Sequence, residues 1–240
     1  LDLVCVRENL EDFYVDRNMH QGIGEFMPTP DTVIAMGKIT AQGSRRIARA
    51  AFEIARRRPR RHLVIVHKLS VYKLYHGLFV SCAKEIAREY PDVTVEEFIV
   101  DAMAALLVRK PEYFDVILTT NTVGDILSDE ASELAGSLGL AASLNHGDRC
   151  AVAQAGHGSA PDIAGRDIAN PTSLLVSAAM MLEHIGVQRG IESCVAAGRC
   201  LDATVDAMLA ARETRTPDLG GPIGTRAFGE GVAHRIATGA

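Results

Sequence analysis

Two aspartates, Asp125 and Asp129, stand one helical turn apart in the stretch Asn121-Thr-Val-Gly-Asp-Ile-Leu-Ser-Asp-Glu-Ala-Ser132. An apolar run, Phe114 to Thr120, precedes them and reads as a short buried strand. Beyond Gly124 the spacing of Ile126, Leu127, Leu134 and Leu138 predicts a helix, on which both carboxylates share one side. Like charges so placed repel each other. A divalent cation reverses the sign, and carboxylate oxygens are the donors that Mg²⁺ or Mn²⁺ prefers. Acidic residues also favour the positive end of a helix in plain solvent, and spacing alone does not separate the two readings. Three further groups stand near the ends of expected strands. Arg7 and Tyr14 bracket a dense polar segment, Lys68 follows Leu63–Val66, and Asp101 closes Val93–Val100. Polar groups at strand ends are common ligand contacts, although each taken alone also reads as an ordinary surface residue.

The elements that must position these groups alternate. Strands are expected at residues 1–6, 63–66, 93–100 and 114–120. Helices are expected at 44–58, where Ile47, Ala51, Ile54 and Ala55 face inward, at 71–90, and on to Arg109. Residues 15–30 read as a loop or irregular arm, and 32–40 as a β-like segment suited to an arm that pairs with another subunit. Past Gly139 the texture shifts to Gly, His, Ala and Ser up to Gly165. A long helix then runs from Pro171 to Ile185, followed by two more helical stretches. This order predicts an α/β fold with helices layered on sheet.

Composition excludes several classes. At 240 residues, with 48% hydrophobic and 23% charged side chains, the chain has the make-up of a globular protein with a substantial core. A net charge of −5 gives no global attraction for nucleic acid or an anionic membrane. The basic run Arg56-Arg-Arg-Pro-Arg-Arg61 closes a helix, where it complements the negative end and is expected in water. A polynucleotide-binding arm built on it would require salt-sensitive binding. Five cysteines at 5, 82, 150, 194 and 200 form no metal-ligand spacing, and their odd number argues against a disulfide framework. The expectation is a reducing, cytoplasmic setting, with no membrane span.

Six segments occur together in a recognisable order: Arg7-Glu-Asn…Tyr14, Val66-His-Lys68, Val100-Asp101, Gly124-Asp-Ile-Leu-Ser-Asp-Glu-Ala-Ser132, His157-Gly-Ser-Ala-Pro-Asp-Ile-Ala-Gly165 and Ile168-Ala-Asn-Pro171. In this the chain resembles the β-decarboxylating dehydrogenases of 2-hydroxy acids, the isocitrate and isopropylmalate dehydrogenase family. The resemblance implies a Mg²⁺ or Mn²⁺ ion held by Asp125, by Asp101 of a second subunit, and by or near Asp129. It implies Lys68 as the group that takes the C2 hydroxyl proton, Tyr14 as the one that protonates C3, and Arg7 as a substrate-carboxylate ligand. A cation at the C2 oxygen would stabilise the enolate that decarboxylation creates.

The same resemblance implies that residues 156–165 are a cofactor loop; no G-x-G-x-x-G follows a strand, so the Rossmann fingerprint is absent. His157, Gly158, Ser159, Ala160, Asp162 and Asn170 would contact the adenosine part. Asp162 near the ribose would accept from a 2′-hydroxyl and repel a 2′-phosphate, so NAD is expected. His157 also reads as a loop histidine and Asp162 as a helix cap. The implied fold is isopropylmalate-dehydrogenase-like, two α/β domains around a mixed sheet. Residues 1–125 would form a small dimer-forming domain with a β-arm, and residues 126–240 the C-terminal part of a large cofactor-binding domain. Opening directly on a strand without Met, the chain is expected to be preceded by further large-domain sequence. The expected molecule is a homodimer with shared sites, oxidatively decarboxylating a 3-substituted malate, with isocitrate-like acids ahead of isopropylmalate, tartrate or malate. A non-catalytic, regulatory member of the family is the rival. Leu69-Ser70 and Thr122-Val123 depart from the family's usual residues beside the site.

Overall fold

The computed structural model describes residues 1–147 and 149–239. Contacts divide the chain into two units, Leu1–Leu134 and Ala135–Ala240. The first unit runs β1 (Val4–Arg7), β2 (Glu25–Thr29), β3 (Thr32–Ala35), α1 (Ala41–Arg57), β4 (His62–His67), α2 (Tyr75–Ala87), β5 (Thr94–Ile99), α3 (Val100–Arg109), β6 (Val116–Thr119) and α4 (Asn121–Leu134). Among the described residues four of these strands form one sheet in the order β1-β6-β4-β5, and every pairing in it is parallel. Among the described residues antiparallel pairing lies outside this sheet, first in the β2–β3 ribbon and in an isolated Asp12–Lys38 bridge.

Side-chain alternation explains the layering. Along β4, Leu63 and Ile65 point to one face and Val64 and Val66 to the other; along β6, Val116 and Leu118 oppose Ile117. The first face is covered by Ala48, Ala51, Phe52 and Ala55 of α1 and by Phe79, Val80, Ala83 and Ile86 of α2. The second carries Met103 and Leu107 of α3 with Leu127 and Ala131 of α4. A parallel sheet buried on both faces needs central strands that are apolar throughout, and His62-Leu-Val-Ile-Val-His67 meets that requirement.

The element boundaries differ from expectation for local reasons. Helix α1 starts at Ala41 because Thr40 is its N-cap, its hydroxyl accepting from the Gly43 N–H at 3.1 Å. Helix α4 starts at Asn121, earlier than Gly124. The Thr122 N–H donates to the Asp12 carboxylate at 2.7 Å, and the Thr120 carbonyl accepts from Gly124 at 2.9 Å. Helix α4 ends at Leu134, and Leu138 opens a separate 3-10 turn.

The basic run is not simply solvated. Arg58 is 19% exposed and donates to Asp115 at 2.5 Å, and Arg60 reaches the same carboxylate at 3.4 Å and the Phe114 carbonyl at 2.6 Å. Arg61 pairs with Asp92, Arg57 with Glu53, and Arg56 lies over the Tyr90 ring. Arg58, Arg60 and Arg61 thereby fasten the amino-terminal edge of the sheet.

The second unit contains β7 (Ala142–His146), β8 (Ala151–Ala155), α5 (Thr172–Arg189), α6 (Glu192–Ala210) and α7 (Thr225–Thr238). The β7–β8 ribbon pairs Ala142 with Ala155 through His146 with Ala151. It is tied to α5 by Ser177, whose hydroxyl accepts from the Ser143 N–H and donates to the Gln154 carbonyl. Val205 and Met208 of α6 pack on Phe228 and Val232 of α7. Among the described residues no helix is long and apolar enough to cross a membrane.

Candidate active site

Every strand of the parallel sheet leads, at its end or within the first turns of the next helix, to a residue singled out from the sequence. Arg7 ends β1, Lys68 follows β4, Asp101 lies in the first turn of α3 directly after β5, and Asp125 lies one turn into α4 after β6. Carboxyl ends of parallel strands are where open α/β sheets bind ligands, because the strand-to-helix turns leave helix N-termini and side chains directed there.

On the β1–β6 side Arg7 organises a cluster. Its Nε donates to Asn121 Oδ1 at 2.8 Å, Nη2 to the Tyr14 hydroxyl at 2.7 Å, and Nη1 pairs with Asp125 Oδ1 at 2.5 Å. The guanidinium also stands 5.4 Å from the centre of the Tyr14 ring. Gly124 permits this approach, since a Cβ there would lie 2.7 Å from Arg7 Cγ. Asp125 is half exposed, so its pairing with Arg7 adds little to stability. Burial, then a hydrogen bond to Asp125, push the Tyr14 hydroxyl up from the ordinary phenol value, while Arg7 pulls the other way. Tyr14 therefore holds its proton at neutral pH. Asp129 is exposed one turn further along α4.

On the β4–β5 side the Lys68 ammonium pairs with Asp101. The backbone of Lys68 is pinned at both ends: its N–H donates to His76 Nδ1 at 2.9 Å, and its carbonyl accepts from the Tyr72 N–H at 2.9 Å. Among the described residues no hydrogen bond or ion pair joins this pair to the Arg7 cluster within one chain.

Carboxylates suit Mg²⁺ or Mn²⁺ in kind. Among the described residues, no three His, Cys, Asp or Glu side chains of one chain converge as a metal set. Asp125 and Asp129 offer two carboxylate donors from one helix.

The cofactor-loop residues lie in the second unit. His157, Gly158, Ser159, Ala160 and Asp162 are all exposed, and His157 Nδ1 lies 2.9 Å from the Gly158 carbonyl. Ala160 adopts a left-handed backbone, φ 40°, ahead of the 3-10 turn Pro161–Ile163. A Cβ on Gly158 would meet no atom within 4 Å, so the loop backbone is open to approach there. That openness fits a nucleotide held by backbone groups. Asn170 differs from the rest of the set. It is buried, its amide nitrogen donates to Asp218 at 3.0 Å, and its oxygen accepts from the Thr172 N–H at the start of α5.

Three residues escaped the sequence reading. Asp12 is buried, with φ 74°, and takes both the Thr122 N–H and the Tyr75 hydroxyl. Asn121 bridges the Arg7 guanidinium and the Glu11 carbonyl. His76 supports Lys68. The polar density of Arg7–Tyr14 was the available signal for Asp12, whereas nothing in the sequence marks His76.

A parallel sheet covered by helices, with basic and acidic groups along its carboxyl edge, defines an α/β protein with a polar cluster where such sheets bind ligands. The family description isocitrate/isopropylmalate dehydrogenase matches residues 1–232, and the chain belongs to that family. It is 48% identical over 236 residues to an isocitrate/homoisocitrate dehydrogenase of Thermus thermophilus, covering 98% of this chain and 66% of that protein. A homoisocitrate dehydrogenase of Methanocaldococcus jannaschii is 42% identical, with 98% and 63% covered. The crystal structure of isocitrate dehydrogenase from Methylococcus capsulatus superposes with TM-score 0.86 at 42% identity, covering 98% of this chain and 67% of that one. The chain thus spans just under two thirds of the length of the curated relatives named here.

Proposed function

We propose that this chain acts in an NAD- and Mg²⁺/Mn²⁺-dependent oxidative decarboxylation of a 3-substituted malate, with isocitrate-like acids as its substrates. The observation that carries the proposal is the convergence of Arg7, Tyr14, Asn121 and Asp125 at one end of the sheet edge, with Lys68 and Asp101 along the same edge. Arg7 offers a planar fork matched to a carboxylate. Its present partner Asp125 is an acid suited to a cation, so a substrate anion and a metal ion would each satisfy one half of that pair. Asp125, Asp129 and the Asp101 of a second copy would hold the ion. When bound, the ion stabilises negative charge at the substrate's C2 oxygen.

The chain's own groups divide the proton work. Lys68 takes the C2 hydroxyl proton, and the protonated Tyr14 delivers one to C3. Asp101 orients the Lys68 side chain, whose neutral amine is the form that accepts the proton and becomes the ammonium. Residues 156–165 would take the adenosine portion of NAD, with Asp162 at the ribose. The first unit serves as the dimer-forming part and the second as part of the cofactor-binding domain. The β2–β3 ribbon supports a homodimer, since Phe26, Met27, Val33 and Ile34 are all exposed in the single chain, an apolar surface of the kind that pairs.

The test is NADH formation over isocitrate, homoisocitrate, isopropylmalate, malate and tartrate, each with Mn²⁺ and with EDTA. The expected result is turnover of an isocitrate-like acid that EDTA abolishes. Turnover indifferent to EDTA removes the metal assignment, and silence across the panel from folded dimer removes the catalytic reading.

A further inference from the structure

We propose that His76 is a positioning residue for Lys68, fixing the backbone from which the base projects and tying it to the helix that carries Asp125. The proposal rests on Lys68 being the base assigned above.

The observation is a closed turn. Between the end of β4 and the start of α2 the chain folds so that the Lys68 carbonyl takes the N–H groups of both Val71 and Tyr72, and the Tyr72 carbonyl takes that of His76. The His76 ring then reaches back, its Nδ1 accepting the Lys68 N–H at 2.9 Å. A ring nitrogen that accepts a backbone N–H carries no proton of its own, so the ring is held as the Nε2–H tautomer. With both backbone polar groups of Lys68 engaged inside one short turn, the direction of its side chain toward Asp101 is set by the turn.

A cage of rings orients the imidazole. Tyr72 stacks on it at 5.2 Å with 23° between planes, and Tyr75 sits at 5.6 Å. Phe13 contacts both tyrosines, at 6.1 and 5.5 Å, and is the sequence neighbour of Tyr14. The cage is anchored at one buried carboxylate. Asp12 Oδ1 accepts the Tyr75 hydroxyl at 2.9 Å, and its Oδ2 accepts the Thr122 N–H at 2.7 Å in the first turn of α4. One anion therefore fixes α2, which supports the proposed base, and α4, which bears Asp125. A shift of the cage would disturb both.

Two variants test the inference in the full chain. In His76→Asn the side-chain oxygen stands near the place of Nδ1 and can still accept the Lys68 N–H. In His76→Leu nothing can. Two readouts follow each variant: hydrogen exchange of the Lys68 amide by NMR, and steady-state kinetics on whichever acid the parent turns over. For His76→Leu the expected results are at least about tenfold faster exchange at the Lys68 amide and a kcat lower by about tenfold to a hundredfold, with KM for the acid within about threefold. His76→Asn should restore both to within about threefold of the parent. Equal exchange at the Lys68 amide in all three proteins overturns the inference, as does an equal kcat for the two variants. If the parent turns over no acid, the catalytic assignment fails by itself, and the exchange measurement alone decides whether His76 positions Lys68.

Discussion

Arg7 and Gly124 are one structural unit at the scale of single residues. The guanidinium reaches Asp125, Asn121 and Tyr14 together only because α4 presents no side chain where Arg7 crosses it. Gly124→Ala should displace Arg7, lowering kcat/KM for the acid by between about tenfold and a hundredfold with little change in KM for NAD. Comparing the two KM values checks this. Asp125→Asn should reduce metal-dependent turnover by about a hundredfold or more while leaving the fold intact. Unchanged activity across a Mn²⁺ titration would refute the role. Gly158 is the opposite case to Gly124. A methyl group there meets nothing in the protein, so Gly158→Ala should leave thermal stability unaltered and raise KM for NAD severalfold if the loop backbone lies against the nucleotide.

At the scale of elements, the two edges of the sheet behave differently. The amino-terminal edge is held by the buried Asp115 with Arg58 and Arg60. Asp115 is buried and takes both guanidiniums, while Arg58 keeps a second partner in Asp2, so Asp115→Ala should cost about 1–3 kcal/mol of stability in a denaturant titration. At the carboxyl edge burial holds His67 and His76 below the ordinary imidazole value of 6.5. Glu97 opposes that shift at His67 and Lys84 reinforces it; Asp12 opposes it at His76 and His67 reinforces it. An unfolded chain would take up these protons first as pH falls. Stability from this source is therefore complete above pH 6.5 and declines as pH drops from 6.5 toward the lowered values. Denaturation midpoints at pH 7.5 and 5.5 should differ in that direction, and less so in His76→Asn.

The same edges show what was legible in the sequence. The central strands announced themselves by apolar runs, and α1 by its inward-facing stripe. Tyr14, Lys68, Asp101 and Asp125 could be singled out as candidates because each belongs to a segment with a distinctive order. The β7–β8 ribbon was not found. Ala-Val-Ala-Gln-Ala155 alternates too weakly in size and polarity to read as a strand, and Ser143 and Gln154 are fixed by a serine on a distant helix. Asp12 was passed over because a buried acid is recognised by its partners, Thr122 and Tyr75, both far along the chain. The basic run misled in part for the same reason: the acid that draws Arg58 inward, Asp115, is remote in sequence.

At the scale of the whole molecule, the proposal makes each site a joint product of two copies, Lys68 and Asp101 from one and Arg7, Tyr14 and Asp125 from the other. Tyr14→Phe and Lys68→Met homodimers should each be nearly inactive. Mixed, dissociated and reassembled, they should recover about a quarter of parental activity, because half the dimers are hybrids and one of each hybrid's two sites is intact. No recovery in a verified hybrid would place all of these groups in one chain's site.

The fastening of the sheet at its amino-terminal edge bears on how such a protein tolerates change. The residues proposed to handle ligand sit at the opposite ends of the strands or early in the helices that follow them, away from the arginine–aspartate lock. Substitutions at the working rim can thus alter what is bound without loosening the strands, and reinforcing the lock can offset damage suffered elsewhere. A search for new acid specificities would do best to begin from a variant strengthened around Asp115 and to randomise only residues that follow strand ends. Its hits should then differ in selectivity while sharing one melting temperature.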